Sequence, residues 1–220
     1  MSGAVELEAL LVSLKVALAA LCLVAPPGTA LALWLSRRPR RGRVLVEALV
    51  MLPLVLPPVA VGVGLLLLFG RNGLDPWLSR LGLSLVATWR GAAVASAVVA
   101  LPVFVRVART AFEAVDPRLE AMAATLGASP WRVFWSVTLP LSRRGLIAAA
   151  ALATARALGE FGATVLVAGS VAGRTQTLPL AIFESFEAGE PGLSLRLCAL
   201  SGLLGLALTA VAVRLEREAA

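Results

Sequence analysis

Few side chains in this 220-residue chain are equipped for chemistry, and their spacing limits what that chemistry can be. Arg156 and Glu160 stand four apart in an apolar run, so a helix there would put both on one face. Charges in such a run are expensive unless paired or facing water. Two readings follow: a structural ion pair that fixes helix packing, or a lining for an anion path. The pair is preferred, because a permanent positive site in a pore would trap an anion rather than release it. Glu120 lies in a second stretch that carries charge, 116–140, together with Asp116, Arg118 and Arg132. Other chemistries lack their residues. There is no His, the commonest metal ligand and general base. There is no HExxH, no GxSxG and no Gly-x-x-x-x-Gly-Lys-Ser/Thr phosphate loop, so the chain is not itself an ATPase. The lone Lys15 has no recognisable partner. Cys22 and Cys198 fall inside apolar runs and read as small hydrophobes rather than a disulfide or metal pair. Catalytic residues, a metal site and a cofactor of the chain's own are not expected.

The elements that position these groups are apolar. The chain is 59% hydrophobic, with a mean hydropathy of +0.90, which marks a polytopic membrane protein of one domain. With about 20 apolar residues per crossing, five spans are expected, near 8–35, 44–69, 84–109, 144–168 and 193–213. Residues 177–186, with Pro179, are too few to cross and read as a helix at the outer surface or dipping into the membrane. The second span holds Pro53, Pro57 and Pro58, each removing a backbone donor. This is either a static kink or a broken helix lining a translocation path, with Gly62 and Gly64 permitting close approach and Glu160 and Thr164 facing it from the fourth span.

Arginine placement gives the orientation. Residues 36–43 hold five Arg, 106–144 hold six, and the tail holds Arg214 and Arg217. Five spans put these thirteen on one side and five Arg on the other, so the N-terminus is expected outside and the C-terminus in the cytoplasm. The net charge of +7 is thereby explained by the cytoplasmic membrane edge, without a nucleic-acid partner.

Residues 116–140 have their own local punctuation. Asp116-Pro117 is a cap-plus-proline helix start, Gly127 a natural stop, and Ser129-Pro130 a second start. Pro140 should end or kink that second helix. The expected result is two short helices bent at Gly127, presenting Trp131, Phe134 and Trp135. From residue types alone it is either an interfacial loop resting on lipid or a docking element for a cytoplasmic partner.

This stretch resembles the EAA motif of ABC-transporter permeases: Glu-Ala-Ala, three residues, Gly, nine residues, Ile or Val, any residue, Leu-Pro. Gly127, Val137, Leu139 and Pro140 fall at that spacing, whereas Ala121-Met122-Ala123 stands where Glu-Ala-Ala would, with Glu120 one place earlier. The runs LPLVLPPVAVGVGLLLLFGRNG, TLGASPWRVFWSVTLPL, ARALGEFGATVLVAG and GRTQTLPLAIFESFEAGE resemble the molybdate-transport permeases, in the family's order and over essentially the whole chain. A related sulfate/thiosulfate branch shares the Arg-Ala-x-Gly-Glu core.

The resemblance implies an all-α, type I importer permease with one transmembrane domain over 8–213 and a cytoplasmic coupling hairpin over 116–140. Glu120, Ala124, Gly127, Ala128, Ser129, Pro130, Trp131 and Phe134 would couple it to the ATPase. It further implies a homodimer in the bacterial or archaeal inner membrane, surrounded by lipid and clamped to two ATP-binding cassette subunits that hold ATP and Mg. A periplasmic or lipid-anchored protein would deliver the oxyanion, most simply molybdate, with tungstate or sulfate/thiosulfate as alternatives. A secondary transporter or channel is the more distant reading, and no inverted repeat is visible.

Overall fold

The computed structural model describes residues 2–37 and 42–217. Arg38, Arg40 and Arg41 of the basic run lie outside the described residues; Arg37 and Arg43 lie within them. Among the described residues the regular structure is entirely helical. α1 runs Ser2–Ser36, α2 Arg43–Val55 and α3 Pro58–Phe69. A short α4 (Asp75–Leu78) and a 3₁₀ turn lead to α5, Trp89–Glu113. The hairpin holds α6, Pro117–Thr125, and α7, Pro130–Val133. α8 (Leu139–Leu158), α9 (Gly162–Ala168), α10 (Leu178–Glu187) and α11 (Pro191–Arg217) complete the chain.

α1, α5 and α11 are each long and apolar enough to cross a membrane. The second and fourth expected spans are not single helices. α2 and α3 meet at 110°, and the helical run that ends as α8 meets α9 at 64°, so there are five crossings if each bent pair counts as one. The first break falls at Leu56-Pro57, where extended backbone precedes Pro58 at the start of α3. A proline disfavours helical geometry in the residue before it, and two in succession stop one helix and start the next. The second break is Gly159-Glu160-Phe161.

The core lies among α1, α5 and α8, and small side chains build it. Ala17, Ala20, Ala97, Ala100, Ala108, Ala149 and Ala153 are buried together, with Phe104 and Leu35 filling the remaining space. Small residues let apolar helices approach closely, which is how packing is gained where lipid removes the hydrophobic difference between inside and outside. α2 buries no residue, and the apolar window of α11 is only 11% buried. Those faces remain for lipid or another chain. Cys22 and Cys198 are exposed on the helix surfaces rather than packed in the core, and both are free.

The two ends of the bundle differ chemically. At one end Arg109 pairs with Glu47 at 2.6 Å and Glu113 at 2.7 Å, and Arg43 reaches Glu113 at 3.6 Å, tying α2 to α5. At the other, Arg196 pairs with Glu6 at 2.7 Å. There too the Leu178 N–H donates to Ser13 Oγ at 2.7 Å, holding α10 on α1. Lys15 does have a partner, lying 3.9 Å over the Trp89 ring.

Candidate coupling hairpin and helix-break site

Two constellations emerge. The first is the hairpin. Asp116 caps α6 by accepting from the Arg118 N–H at 2.9 Å, and Ser129 Oγ caps α7 by accepting from the Arg132 N–H at 3.4 Å. Between them Gly127 has φ +86°. The Gly127 N–H donates to the Ala124 carbonyl at 3.0 Å and the Ala128 N–H to the Ala123 carbonyl at 3.1 Å. These bonds close the C-terminus of α6 around a residue that needs the left-handed region. Both expected starts and the expected stop are therefore present. Pro140 is not a stop. A π turn over Phe134–Thr138 widens the backbone just before it, and Pro140 falls in the first turn of α8. The Leu139 N–H reaches back to the Phe134 carbonyl, so the widened turn carries the helix past a residue that has no N–H to donate.

No residue of α6 is fully buried within the chain. Leu126 is 87% exposed, Trp131 70% and Trp135 53%. Trp131 stacks on Phe134 with centroids 6.1 Å apart, but Phe134 is half-buried against the main core. The outward rings are the two indoles, whereas Phe134, one of the residues the resemblance implied for coupling, turns toward the bundle. Ala124, Ser129 and Pro130 are exposed and Ala128 is half-buried.

Glu120 does not point outward. Its carboxylate accepts both guanidinium nitrogens of Arg37, from the end of α1, and the Thr138 hydroxyl at 2.5 Å. Burial pushes this carboxyl up, but the hydrogen bonds from Arg37 and Thr138 and the Arg37 charge outweigh it and hold it below its ordinary value. Glu120 thus pins α6 to both α1 and the π turn. Sequence spacing could not supply Arg37 as its partner across 83 residues.

The second constellation joins the two helix breaks. Gly162 sits so close to Pro58 that a Cβ there would lie 3.0 Å from the Pro58 Cβ and 3.3 Å from the Val59 nitrogen. A Cβ on Gly62 would lie 3.0 Å from the Ala163 Cα. Gly62 is thus a close-approach residue, whereas a Cβ on Gly64 would meet nothing within 4 Å among the described residues. Pro57 and Pro58 are exposed.

Arg156 Nη2 lies 3.0 Å from Glu160 Oε2, but not on a shared helix face: α8 ends at Leu158 and Glu160 stands in the break. Its other oxygen accepts the Ala163 N–H at 2.8 Å, so one carboxylate closes the break from both sides. Glu160 is buried, while Arg156 keeps 30% of its side chain exposed. Thr164 is fully buried, and its hydroxyl donates to the Glu160 and Phe161 carbonyls at 3.1 and 2.8 Å, turned onto backbone rather than into a path.

A bundle of apolar helices, two of its spans broken where they touch, with an ordered hairpin at one end, is the build of a membrane transport subunit. A family model described as "Binding-protein-dependent transport system inner membrane component" matches residues 28–219, and the chain belongs to that family of multi-pass inner-membrane proteins. It is 43% identical to the molybdenum transport system permease protein ModB of Haemophilus influenzae, over 91% of this chain and 89% of that one. It is 41% identical to the Escherichia coli (strain K12) protein of the same description, over 98% and 96%. A solved structure described as an amino acid ABC transporter with histidines covers 97% of this chain, with 94% of its own chain matched. Its TM-score is 0.64 at 19% identity, a likeness that shows the fold.

Proposed function

We propose that this chain is the permease of an ATP-driven importer of molybdate. Two copies would assemble in lipid with two ATP-binding subunits, which hold ATP and Mg, and a binding protein would present the oxyanion at the outer face. The observation that carries the coupling role is the hairpin itself. It is capped at both helix starts and latched through Glu120, yet its indoles and Leu126 remain unburied within the chain. An apolar surface on a rigidly held element fits a groove on a partner better than a loose rest on lipid.

Support for the orientation is geometric as well as compositional. Arg37 bonds Glu120, and Glu216 lines the same cavity as Asp116 and Arg106. The arginine-rich segments therefore share one end of the bundle, the cytoplasmic end by the positive-inside rule, with the N-terminus outside. ATP-driven closure of the partner subunits would displace the hairpins and switch the spans between inward- and outward-open states, with the Pro58–Gly162 contact between the breaks as the moving part.

The test is competitive uptake into proteoliposomes containing the permease, its ATPase and the binding protein. Radiolabelled molybdate should accumulate only with ATP, tungstate should compete nearly as well as unlabelled molybdate, and sulfate should compete weakly. Strong competition by sulfate would move the chain to the sulfate branch, and ATP-independent accumulation would make it a secondary transporter.

A further inference from the structure

At the end of the bundle opposite the hairpin, a cleft of about 400 Å³ opens between the loop before α5 and the loop after α9. Arg90 and Arg174 both line it, with the hydroxyl residues Ser84, Thr88 and Thr175. Arg90 spends one nitrogen on the Gly82 carbonyl at 3.0 Å and lies loosely over Trp89. Among the described residues the Arg174 side chain makes no ion pair or hydrogen bond. Most of the donors on these two guanidinium groups are therefore uncommitted, and both residues line the same concave space.

The cleft is built rather than incidental. Ala87, on its wall, is the one non-glycine residue at positive φ (+57°) among the described residues. Its N–H donates to the Val167 carbonyl of α9 at 2.8 Å. A non-glycine residue held in the left-handed region persists only where its surroundings over-determine it, and such residues gather at functional sites. That bond also fastens the cleft to α9, the seven-residue helix whose other end is the Glu160 break. Thr175 Oγ1 accepts the Val171 N–H at 3.0 Å and fixes the opposite wall.

We propose that this cleft is an outer receiving site for a tetrahedral oxyanion, with Arg90 and Arg174 as its ligands. The inference rests on the import reading above and adds the residues that take the cargo on the outer side. Guanidinium groups match oxyanions through paired N–H donors, and a concave basic surface raises the local anion concentration. Both arginines are exposed, and two carboxylates stand near the rim: Asp75 accepts from Ser84 at 3.3 Å, and Glu8 lies against Gly173. The screened, tempered field suits capture and release, which the ion-paired Arg156 deeper in the chain does not offer.

The experiment uses the assembled complex in proteoliposomes with Arg90→Gln, Arg174→Gln, the double variant and the corresponding Lys variants. Three quantities are read: molybdate uptake, binding-protein docking, and ATP hydrolysis stimulated by the loaded binding protein. Uptake should fall about threefold for each Gln variant and about tenfold for the double, the scale of exposed charge contacts. Docking and stimulated hydrolysis should be unchanged, and the Lys variants should recover part of the uptake. Flow dialysis of radiolabelled molybdate against the complex without binding protein should show weak, salt-sensitive binding that the double variant loses. Unchanged uptake in the double variant overturns the site. Docking lost in step with uptake also overturns it and assigns the arginines to acidic side chains of the binding protein. If the unsubstituted complex imports no molybdate, the import reading fails by itself, and the dialysis arm, run with molybdate and sulfate, still decides the site.

Discussion

Consider removing Arg156 and Glu160 one at a time and together. Arg156→Ala strands a carboxylate whose side chain is 1% exposed, the situation that costs about 3–5 kcal/mol. The Ala163 N–H still donates to it at 2.8 Å, which places the loss near the lower end, about 3 kcal/mol. Glu160→Ala removes the cap on α9, about 1 kcal/mol. It leaves Arg156, 30% exposed, which can turn toward water, so the total is about 2 kcal/mol. The double variant strands no charge and should lose about 2 kcal/mol for the cap and local packing. The singles thus sum to about 5 kcal/mol against about 2 for the double, a coupling of about 3 kcal/mol. Denaturant unfolding of the purified protein in one fixed lipid–detergent mixture measures all three. Additive losses would mean the 3.0 Å contact carries no stability. A Glu160→Ala loss larger than that of Arg156→Ala would refute the burial asymmetry on which the estimate rests.

Gly127→Val, at φ +86°, should strain the hairpin by about 1–3 kcal/mol while membrane insertion stays normal, as detergent extraction and ATPase pull-down would report. Trp131→Ala and Trp135→Ala should weaken ATPase retention and lower transport with the fold intact, whereas Phe134→Ala should chiefly destabilise the protein; full ATPase retention in both Trp variants removes the docking assignment. Because the Glu120 carboxyl is held below its unfolded value, its latch should be fully present above the unfolded pKa of about 4.3 and lost as pH falls through the folded value. Protease nicking of 116–140 should therefore rise in acid for the native chain and show no such rise in Glu120→Gln. Reporter fusions at Gly127 and Gly173 should report cytoplasm and periplasm respectively; the reverse result inverts the topology.

Much of the hairpin was legible because helix caps are local chemistry. Asp116 and Ser129 bond N–H groups within three residues of themselves, and Gly127 answers a backbone requirement that its own type reveals. The Arg156–Glu160 contact was legible for a partly mistaken reason: spacing implied a continuous helix, but the pair spans a break that Gly159 begins. What stayed hidden depends on partners distant in the chain or on summed geometry. No local pattern links Glu120 to Arg37, and three prolines announce a disturbance in the second span without giving its 110°. Thr164 looks like a path residue by type, yet a helix offers a hydroxyl carbonyls of its own preceding turn, and there it turns.

Because the π turn carries the backbone past Pro140 unbroken, the hairpin's second helix and the fourth span form one continuous helical run, Pro130–Leu158. At 1.5 Å per residue that run is about 43 Å long. A connecting rod of that length needs no chain of intermediate contacts to carry motion. Tilting it by about 5° about its indole end swings the other end by about 4 Å, taking its length from the helix rise. That end stops at Gly159, beside the Glu160 clasp and the Pro58–Gly162 contact. If the partner subunit pushes where Trp131 stands, the stroke would be delivered where, among the described residues, two broken helices meet.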